Sequence, residues 1–364
     1  IYQGTAETLT QALVHRHAPT WREVILLVAG HLVATSQPQQ AKQIAWQLLD
    51  ADSAGSAEYY RSAVLAGEIV EELGDSLGRD GRKLRDDIVQ VLVELVQGGR
   101  LVAKERVEAA FLLARLGDPR LYTPEQPAYW CAIPSGPFWH GDDRSEQLQE
   151  VELPHDYQIA RYGVTNADFA RFMAAGGYAE RRWWTAEGWA YCQDRGWIEP
   201  RLWEDLRYNQ PTQPVVGVAW YEAAAYCIWL TELGHAQGWL LRSDSIRLPT
   251  WLEWERAARH SDQRRYPWDA EPNAERANYA ETAIGGPAPV GCFPAGVAAC
   301  GALDMAGNVM EWMATAYEQP EYPAPQKDFT PKACFKYSHF SFTVCWRLDR
   351  IRKPSTVCSM SRKL

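Results

Sequence analysis

The most chemically suggestive part of this chain is a glycine-rich, largely non-periodic stretch at residues 276–312. Its side chains with amide or carboxylate oxygens include Asn278, Asp304, Asn308 and Glu311. Glycines permit the tight turns that bring such oxygens together, and a hard cation such as calcium takes about six to eight of them. The stretch therefore favours a calcium site, although a long loop held by Asx turns explains the same residue types equally well.

Composition limits what kind of protein this is. At 364 residues the chain has room for about two domains, and its net charge of −9 argues against general nucleic-acid binding. No apolar run is long enough to span a membrane. The eight cysteines are scattered without a C-x-x-C motif, which favours a reducing cytosol over a disulfide scaffold. The start, IYQGTAETLT, lacks Met and a signal-peptide pattern and predicts a piece of a longer protein.

The elements that must position the glycine-rich stretch fall into two parts. Residues 1–122 are predicted to be an all-α domain, with short helices stacked as in a helical-repeat array. A capping box from Thr20 to Glu23 predicts the start of one helix. Helical spacing of apolar residues predicts two more, at Leu84, Ile88, Val91, Leu92 and Leu95 and at Val107, Ala110, Phe111 and Ala114.

The second part follows a linker at residues 123–128 and runs over 129–364. Its first helix is predicted after a Thr165–Asp168 cap, its second after Trp220, and its third after a Thr250–Glu253 box. An aromatic insert between the first two of these helices contains Trp183, Trp184, Trp189 and Trp197, four of the chain's 17 tryptophans. They fit two interpretations equally, an exposed ligand-binding group and the filling of a loop-rich core.

Several motifs resemble one protein family. GALDMAGNVMEW at 301–312 resembles the G-L-x-D-M-x-G-N-V-W-E-W signature of the formylglycine-generating enzyme (sulfatase-modifying factor) family. Further blocks in the family's order are CAIPSGPFWHGDD, YGVTNADFARFM, PVVGVAWYEAAAYCIWL and RLPTWLEWERAAR, so the resemblance covers roughly residues 129–317. It implies an α+β, loop-rich, C-type-lectin-like fold. It also implies a structural calcium ion held by Asn278, Asn308 and Glu311, with Asp304 as a weaker addition.

The catalytic features of that family are not reproduced. Its oxidases bind copper through a closely spaced cysteine pair just after an R-G-G-S motif, and this chain has no R-G-G-S. Cys334 and Cys345 are separated by ten intervening residues, so copper binding is unsupported by spacing. The related iron-dependent sulfoxide synthases need three histidines from a helical domain, and His15, His17 and His31 do not reproduce that pattern. A non-enzymatic function is therefore favoured.

The tail departs from the family in composition. Residues 331–364 carry eight Lys or Arg against one Asp, and the usual G-F-R-V ending is missing. Three interpretations stay open: a divergent binding face, a segment under targeted diversification, and a shifted reading frame.

These features favour a ligand-binding sensor for an unidentified protein or other macromolecule. The fold implied above also serves as the scaffold of variable proteins from diversity-generating retroelements, whose diversified residues lie near the C-terminus. The corresponding segment here is 330–364, and its aromatic and Arg residues are typical of binding hot spots: Phe335, Tyr337, His339, Phe340, Phe342, Trp346 and Arg347. Alternating Phe340 and Phe342 fit a strand core equally well.

The first part adds a cellular context. WREVILLVAGHL and AAFLLARLGDPR are similar to the helical region that follows the ATPase core of bacterial NACHT-type signalling proteins. This resemblance implies an upstream ATPase and a cytoplasmic location. Two alternatives to the sensor remain: a sulfatase-modifying copper oxidase with a rearranged site, and a structural module for oligomerisation.

Overall fold

The computed structural model describes residues 12–141, 148–315, 340–342 and 345–348. A helical region comes first, and a region of mixed helices and strands follows, which confirms the predicted α+β class. No helix in these ranges is long and apolar enough to cross a membrane.

The helical region contains α1 (Pro19–Ala34), α2 (Pro38–Leu49), α3 (Ala57–Leu73), α4 (Arg82–Gln97) and α5 (Ala103–Leu116). Their apolar stripes meet in one buried cluster. The stripe predicted for α4 is confirmed, because Leu84, Ile88, Leu92 and Leu95 are all fully buried. The predicted Thr20–Glu23 capping box is wrong. Helix α1 starts at Pro19, whose fixed φ suits a first helical position, and its N-cap is Ala18 with no side-chain cap.

The mixed region is organised around an antiparallel four-stranded sheet. Its strands are β1 (Trp130–Ile133), β4 (Tyr157–Ala160), β8 (Cys345–Leu348) and β5 (Asp244–Arg247), in that spatial order. Strands β2 (Gly136–His140) and β3 (Gln149–Leu153) pair separately and antiparallel. Strands β6 (Met310–Trp312) and β7 (Phe340–Phe342) pair in parallel. The last described strand of the chain thus lies inside the main sheet, between β4 and β5.

The helices of the mixed region are α6 (Asn166–Ala174), α7 (Ala186–Arg195), α8 (Trp220–Gln237) and α9 (Trp251–Arg259). Two predicted capping boxes are confirmed. Thr165 and Asp168 cap α6, and Thr250 and Glu253 cap α9. The predicted start of α8 at Trp220 is also confirmed.

The tryptophan insert fills a core. Trp183 and Trp184 are 4% and 5% exposed, and Trp189 and Trp197 pack against the same buried cluster. The Trp184 indole donates a hydrogen bond to Gly177 O at 2.7 Å. Of the two interpretations of these tryptophans, core filling is therefore confirmed.

The two regions are packed firmly together. Ala288, Cys292 and Phe293 of the mixed region belong to the buried cluster of the helical region. Arg106 of α5, only 1% exposed, donates from Nε to Cys292 O at 2.7 Å and from Nη1 to Glu275 Oε2 at 2.9 Å. Arg106 therefore anchors one region to the other, while the domain boundaries at 122 and 129 stay predictions.

Glu222 makes the stability of α8 depend on pH. Its buried carboxylate accepts a hydrogen bond from Ala219 N at 2.6 Å and another from the Tyr178 hydroxyl. Burial raises the pKa of Glu222 to about 7 from its usual 4.5, because these two hydrogen bonds offset the lost hydration only in part.

We therefore expect the free energy of unfolding to fall as pH rises from about 4.5 to about 7, since the folded state holds this proton more tightly than the unfolded chain. Glu222→Gln removes this titration. It should reduce the decrease in the free energy of unfolding over this pH range by about 3 kcal/mol. Urea unfolding at several pH values measures the effect. Glu187→Gln is the matched control, because Glu187 is also in a helix first turn but exposed. An unchanged profile in the Glu222 variant would contradict the assignment.

Candidate functional site

The glycine-rich stretch is held by a hydrogen-bonded pair of asparagines. Asn278 donates from Nδ2 to Gly286 O at 2.8 Å and to Asn308 Oδ1 at 3.0 Å. Asn308 Oδ1 also accepts a hydrogen bond from Ala288 N at 2.8 Å, and Asn308 N donates to Asn278 O at 2.7 Å. The two asparagines therefore join the two ends of the stretch.

Asp304 fixes a second point of the same loop. Its Oδ2 accepts a hydrogen bond from Gly291 N at 2.7 Å. Burial raises the pKa of the Asp304 carboxyl to about 6, although the Gly291 hydrogen bond and the nearby Arg120 guanidinium act in the opposite direction. Arg120 in turn is buried, pairs with Asp118 and donates to Gly291 O at 3.2 Å.

Glu311 lies in a different environment from the asparagines. Its Oε2 accepts a hydrogen bond from the Trp254 indole at 3.1 Å. Both residues line a cavity of about 330 Å³ whose walls include Met305, Met310 and Met313. The cavity therefore has thioether and indole walls and two carboxyl groups, those of Asp304 and Glu311.

The structure brings together part of the predicted calcium site. Asn278 and Asn308 are in direct contact, but the Asn308 side-chain oxygen already accepts two N–H donors. Glu311 accepts a hydrogen bond from the Trp254 indole. Across the described ranges, no group of three or more His, Cys, Asp or Glu side chains is placed to hold a metal ion. The calcium site remains a prediction.

Gly307 is required by the contact between the asparagines. Its φ is +78°, and a Cβ at this position would lie 2.5 Å from Asn278 O. Gly307→Ala should lower the free energy of unfolding by more than the roughly 1–2 kcal/mol that a left-handed conformation costs alone. Thermal unfolding measures this. Gly285→Ala is the matched control, since Gly285 has φ +85° with nothing within 4 Å. Equal losses of unfolding free energy in the two variants would show that the close contact does not contribute to the cost of the Gly307 substitution.

Two carboxylates of α9 pair with histidines that no sequence motif indicates. His140 Nδ1 lies 2.5 Å from Glu255 Oε2, and His155 Nε2 lies 3.1 Å from Glu253 Oε1. Both histidines are partly exposed, at 22% and 26% of their side-chain area. His140 ends β2 and His155 follows β3, and both are far from α9 in sequence. No local motif could therefore have shown these pairs.

Three of the seven residues of the predicted ligand-binding face lie outside the described residues. Phe335, Tyr337 and His339 are outside the described residues, as is Cys334. Phe340 and Phe342 lie in β7, so a strand is confirmed at that point. Cys345, Trp346 and Arg347 lie in β8, where Trp346 is in register with Gln158 and Ile246. The last part of the predicted face thus belongs to an inner strand. Its role in binding remains a prediction.

Comparisons with known proteins agree with the motifs. Residues 122–347 match the sulfatase-modifying factor enzyme 1-like domain. The chain is 38% identical over 210 residues to a hercynine oxygenase of Mycolicibacterium thermoresistibile, covering 54% of this chain and 42% of that protein. It is 31% identical to a formylglycine-generating enzyme of Thermomonospora curvata, covering 54% and 74%. It is 29% identical to an inactive Cα-formylglycine-generating enzyme 2 of Mus musculus, covering 57% and 75%. The chain spans about half the length of the hercynine oxygenases it matches.

Proposed function

We propose, since this chain belongs to the sulfatase-modifying factor enzyme 1-like domain family, that its mixed region is the domain of an oxidising enzyme that uses molecular oxygen. The observation that carries the proposal is the 38% identity to a hercynine oxygenase over 210 residues. The similarity to a formylglycine-generating enzyme supports the same reaction class. These relatives favour the oxidase alternative over the non-enzymatic sensor that the divergent tail suggested.

The cavity beside β6 supports a substrate class. Its volume of about 330 Å³ fits a small molecule or one peptide side chain. Thioether and indole surfaces favour an apolar or sulfur-containing body. The Glu311 carboxylate beside the Trp254 ring suits a cationic group. We assign the substrate to this cavity.

The metal of such an enzyme has no three-ligand site within the described residues. Copper(I) favours thiolates, and iron in oxygenases favours imidazole and carboxylate ligands. The described parts of the chain gather no set of three such side chains, and Cys334 lies outside them. No metal ligands are therefore assigned among the described residues.

An oxygen-consumption assay tests the proposal. The purified chain is supplied with iron(II) or copper(I) and with either hercynine plus cysteine or a cysteine-containing peptide. We expect oxygen uptake that depends on substrate, with an oxidised product in the mass spectrum. Glu311→Gln should weaken it at limiting substrate, whereas the exposed Glu281→Gln should not. A folded protein that consumes no oxygen with either metal and either substrate would overturn the proposal.

A binding function is the second candidate, and the inactive relative from mouse favours it. In this proposal the C-type-lectin-like scaffold, with its calcium ion, presents residues 330–364 to a macromolecular ligand. An upstream NACHT-type ATPase and a cytoplasmic location belong to the same proposal. Sequencing the gene across a natural population distinguishes it, because diversified binding predicts substitutions concentrated in residues 330–364 while Asn278 and Asn308 stay constant. A uniform tail would contradict diversification.

A further inference from the structure

A second cavity, here called the junction cavity, lies where the helical and mixed regions meet. Its volume is about 540 Å³, within the roughly 300–1,000 Å³ typical of small-molecule pockets. Val64 and Phe111 line it from helices α3 and α5, and Ile284 lines it from the glycine-rich stretch. A smaller cavity of about 240 Å³ adjoins it, since Val64 and Glu108 line both. The junction cavity therefore needs both regions.

The apolar part of the junction cavity also comes from both regions. Val64, Phe111 and Ile284 pack against the buried cluster of the helical region, which fixes their positions. Leu206 lines the cavity from the mixed region and is 79% exposed. An exposed leucine and a phenylalanine ring both gain contacts when an apolar body enters the cavity. A ligand with an aromatic or branched body therefore fits this part.

The arginines that line the junction cavity do not select an anion. Each of the three already pairs with a carboxylate: Arg22 with Glu68, Arg115 with Glu71, and Arg207 with Asp205. The N···O distances of the Arg115 and Arg207 pairs are 2.5 Å and 2.6 Å. An anionic ligand would have to compete with these charge-assisted hydrogen bonds.

The unmatched charge of the junction cavity is negative. Within the described ranges, Glu108 makes no hydrogen bond or ion pair. Glu68 binds Arg22 through Oε1, while its buried Oε2 has no partner in the described part of the chain. Burial raises the pKa of the Glu68 carboxyl although Arg22 acts in the opposite direction, so the lost hydration is replaced only in part. Two such carboxylates beside an apolar wall suit a ligand with a positive charge.

We propose that the junction cavity binds a small organic cation, a primary amine in its ammonium form that carries an aromatic or branched apolar body. The ammonium group lies on the side of Glu68 and Glu108, and the body contacts Phe111 and Leu206. Since these residues come from both regions, the ligand binds the state in which the regions are joined and stabilises that state. The site does not depend on the proposed oxygenase activity, because it shares no lining residue with the cavity beside β6.

Calorimetric titration of the purified chain with tryptamine tests the charge preference. Indole-3-propionate is the matched probe, because it carries an anionic group on the same aromatic body. We expect saturable binding of tryptamine and at least tenfold weaker binding of indole-3-propionate. Glu108→Gln should weaken tryptamine binding about tenfold. Glu72→Gln is the control, since Glu72 is an exposed residue of α3 that lines neither cavity, and it should leave binding unchanged.

A second pair of variants tests the apolar part. Leu206→Ser should weaken tryptamine binding about threefold, because an exposed apolar wall is lost. Leu241→Ser is its control, since Leu241 is 62% exposed and lies outside the cavity lining, and it should have no effect. Glu108 and Leu206 are both exposed, so their variants should fold, which circular dichroism verifies.

Three results would overturn the proposal. One is the absence of saturable tryptamine binding to the folded wild-type chain. Another is equal affinity for tryptamine and indole-3-propionate. A third is loss of binding in Glu311→Gln but not in Glu108→Gln, which would place tryptamine in the cavity beside β6 instead. Binding that is retained in Glu311→Gln and weakened in Glu108→Gln supports the junction cavity, whether or not the chain consumes oxygen.

Discussion

Replacing Glu253 by glutamine is expected to lower the free energy of unfolding by about 3 kcal/mol. The Glu253 carboxylate is 2% exposed and receives hydrogen bonds from Arg247 Nη1 at 2.8 Å and Nη2 at 2.6 Å. It also accepts from Thr250 N at 2.8 Å and Thr250 Oγ1 at 2.9 Å, and His155 lies at 3.1 Å. A neutral amide cannot accept all of these donors, so the cap of α9 and the tie to β5 are weakened together.

The pH dependence of this loss identifies its cause. Burial alone raises the pKa of Glu253, but the Arg247 guanidinium and the other donors outweigh it and lower the pKa to about 2. The contribution of the carboxylate is therefore complete above its unfolded value of 4.5 and disappears as pH falls towards 2. The difference between wild type and Glu253→Gln should shrink over the same range in urea unfolding. Glu271→Gln is an exposed control. A constant difference at all pH values would rule out the ionic cause.

Replacing Arg106 by methionine is expected to uncouple the two regions. The lost hydrogen bonds to Cys292 O, Leu101 O and Glu275 Oε2 should cost about 3 kcal/mol. The single unfolding transition expected of the wild type should separate into two. Circular dichroism follows the helical region, and tryptophan fluorescence follows mainly the mixed region, which holds most of the tryptophans.

A control on the same helix separates anchoring from helix stability. Lys104→Met changes an exposed residue of α5 and should leave one transition in place. Glu275→Gln removes only the ionic partner, which is half-exposed at 46%, and should have a smaller effect than Arg106→Met. Coincident transitions in the Arg106 variant would show that the apolar contacts of Cys292 and Phe293 are sufficient to join the regions.

Features encoded by neighbouring residues were predictable from the sequence. The Thr165–Asp168 and Thr250–Glu253 boxes were found because both partners lie within one turn. The buried stripe of α4 followed from its helical period. The Thr20–Glu23 prediction failed for an equally local reason, since Pro19 had already started the helix.

The contacts that define the sites were not predictable in the same way. His140 with Glu255, and His155 with Glu253, are brought together by the packing of distant segments. The divergent tail favoured a binding function, whereas the similarity to oxidising relatives lies in residues 122–347. A segment that breaks a family pattern is conspicuous in a sequence, but it contains little information about the part that keeps the pattern.

The inner position of β8 affects the order in which the chain folds during synthesis. Among the described strands, β4 and β5 are joined through Cys345–Leu348, which is synthesised long after both of them. During synthesis the helical region has all of its local contacts early and can fold while translation continues. Until this last strand leaves the ribosome, β4 and β5 each have an unpaired edge, and the main sheet cannot form. Premature termination before that strand should therefore yield a folded helical region attached to an aggregation-prone remainder.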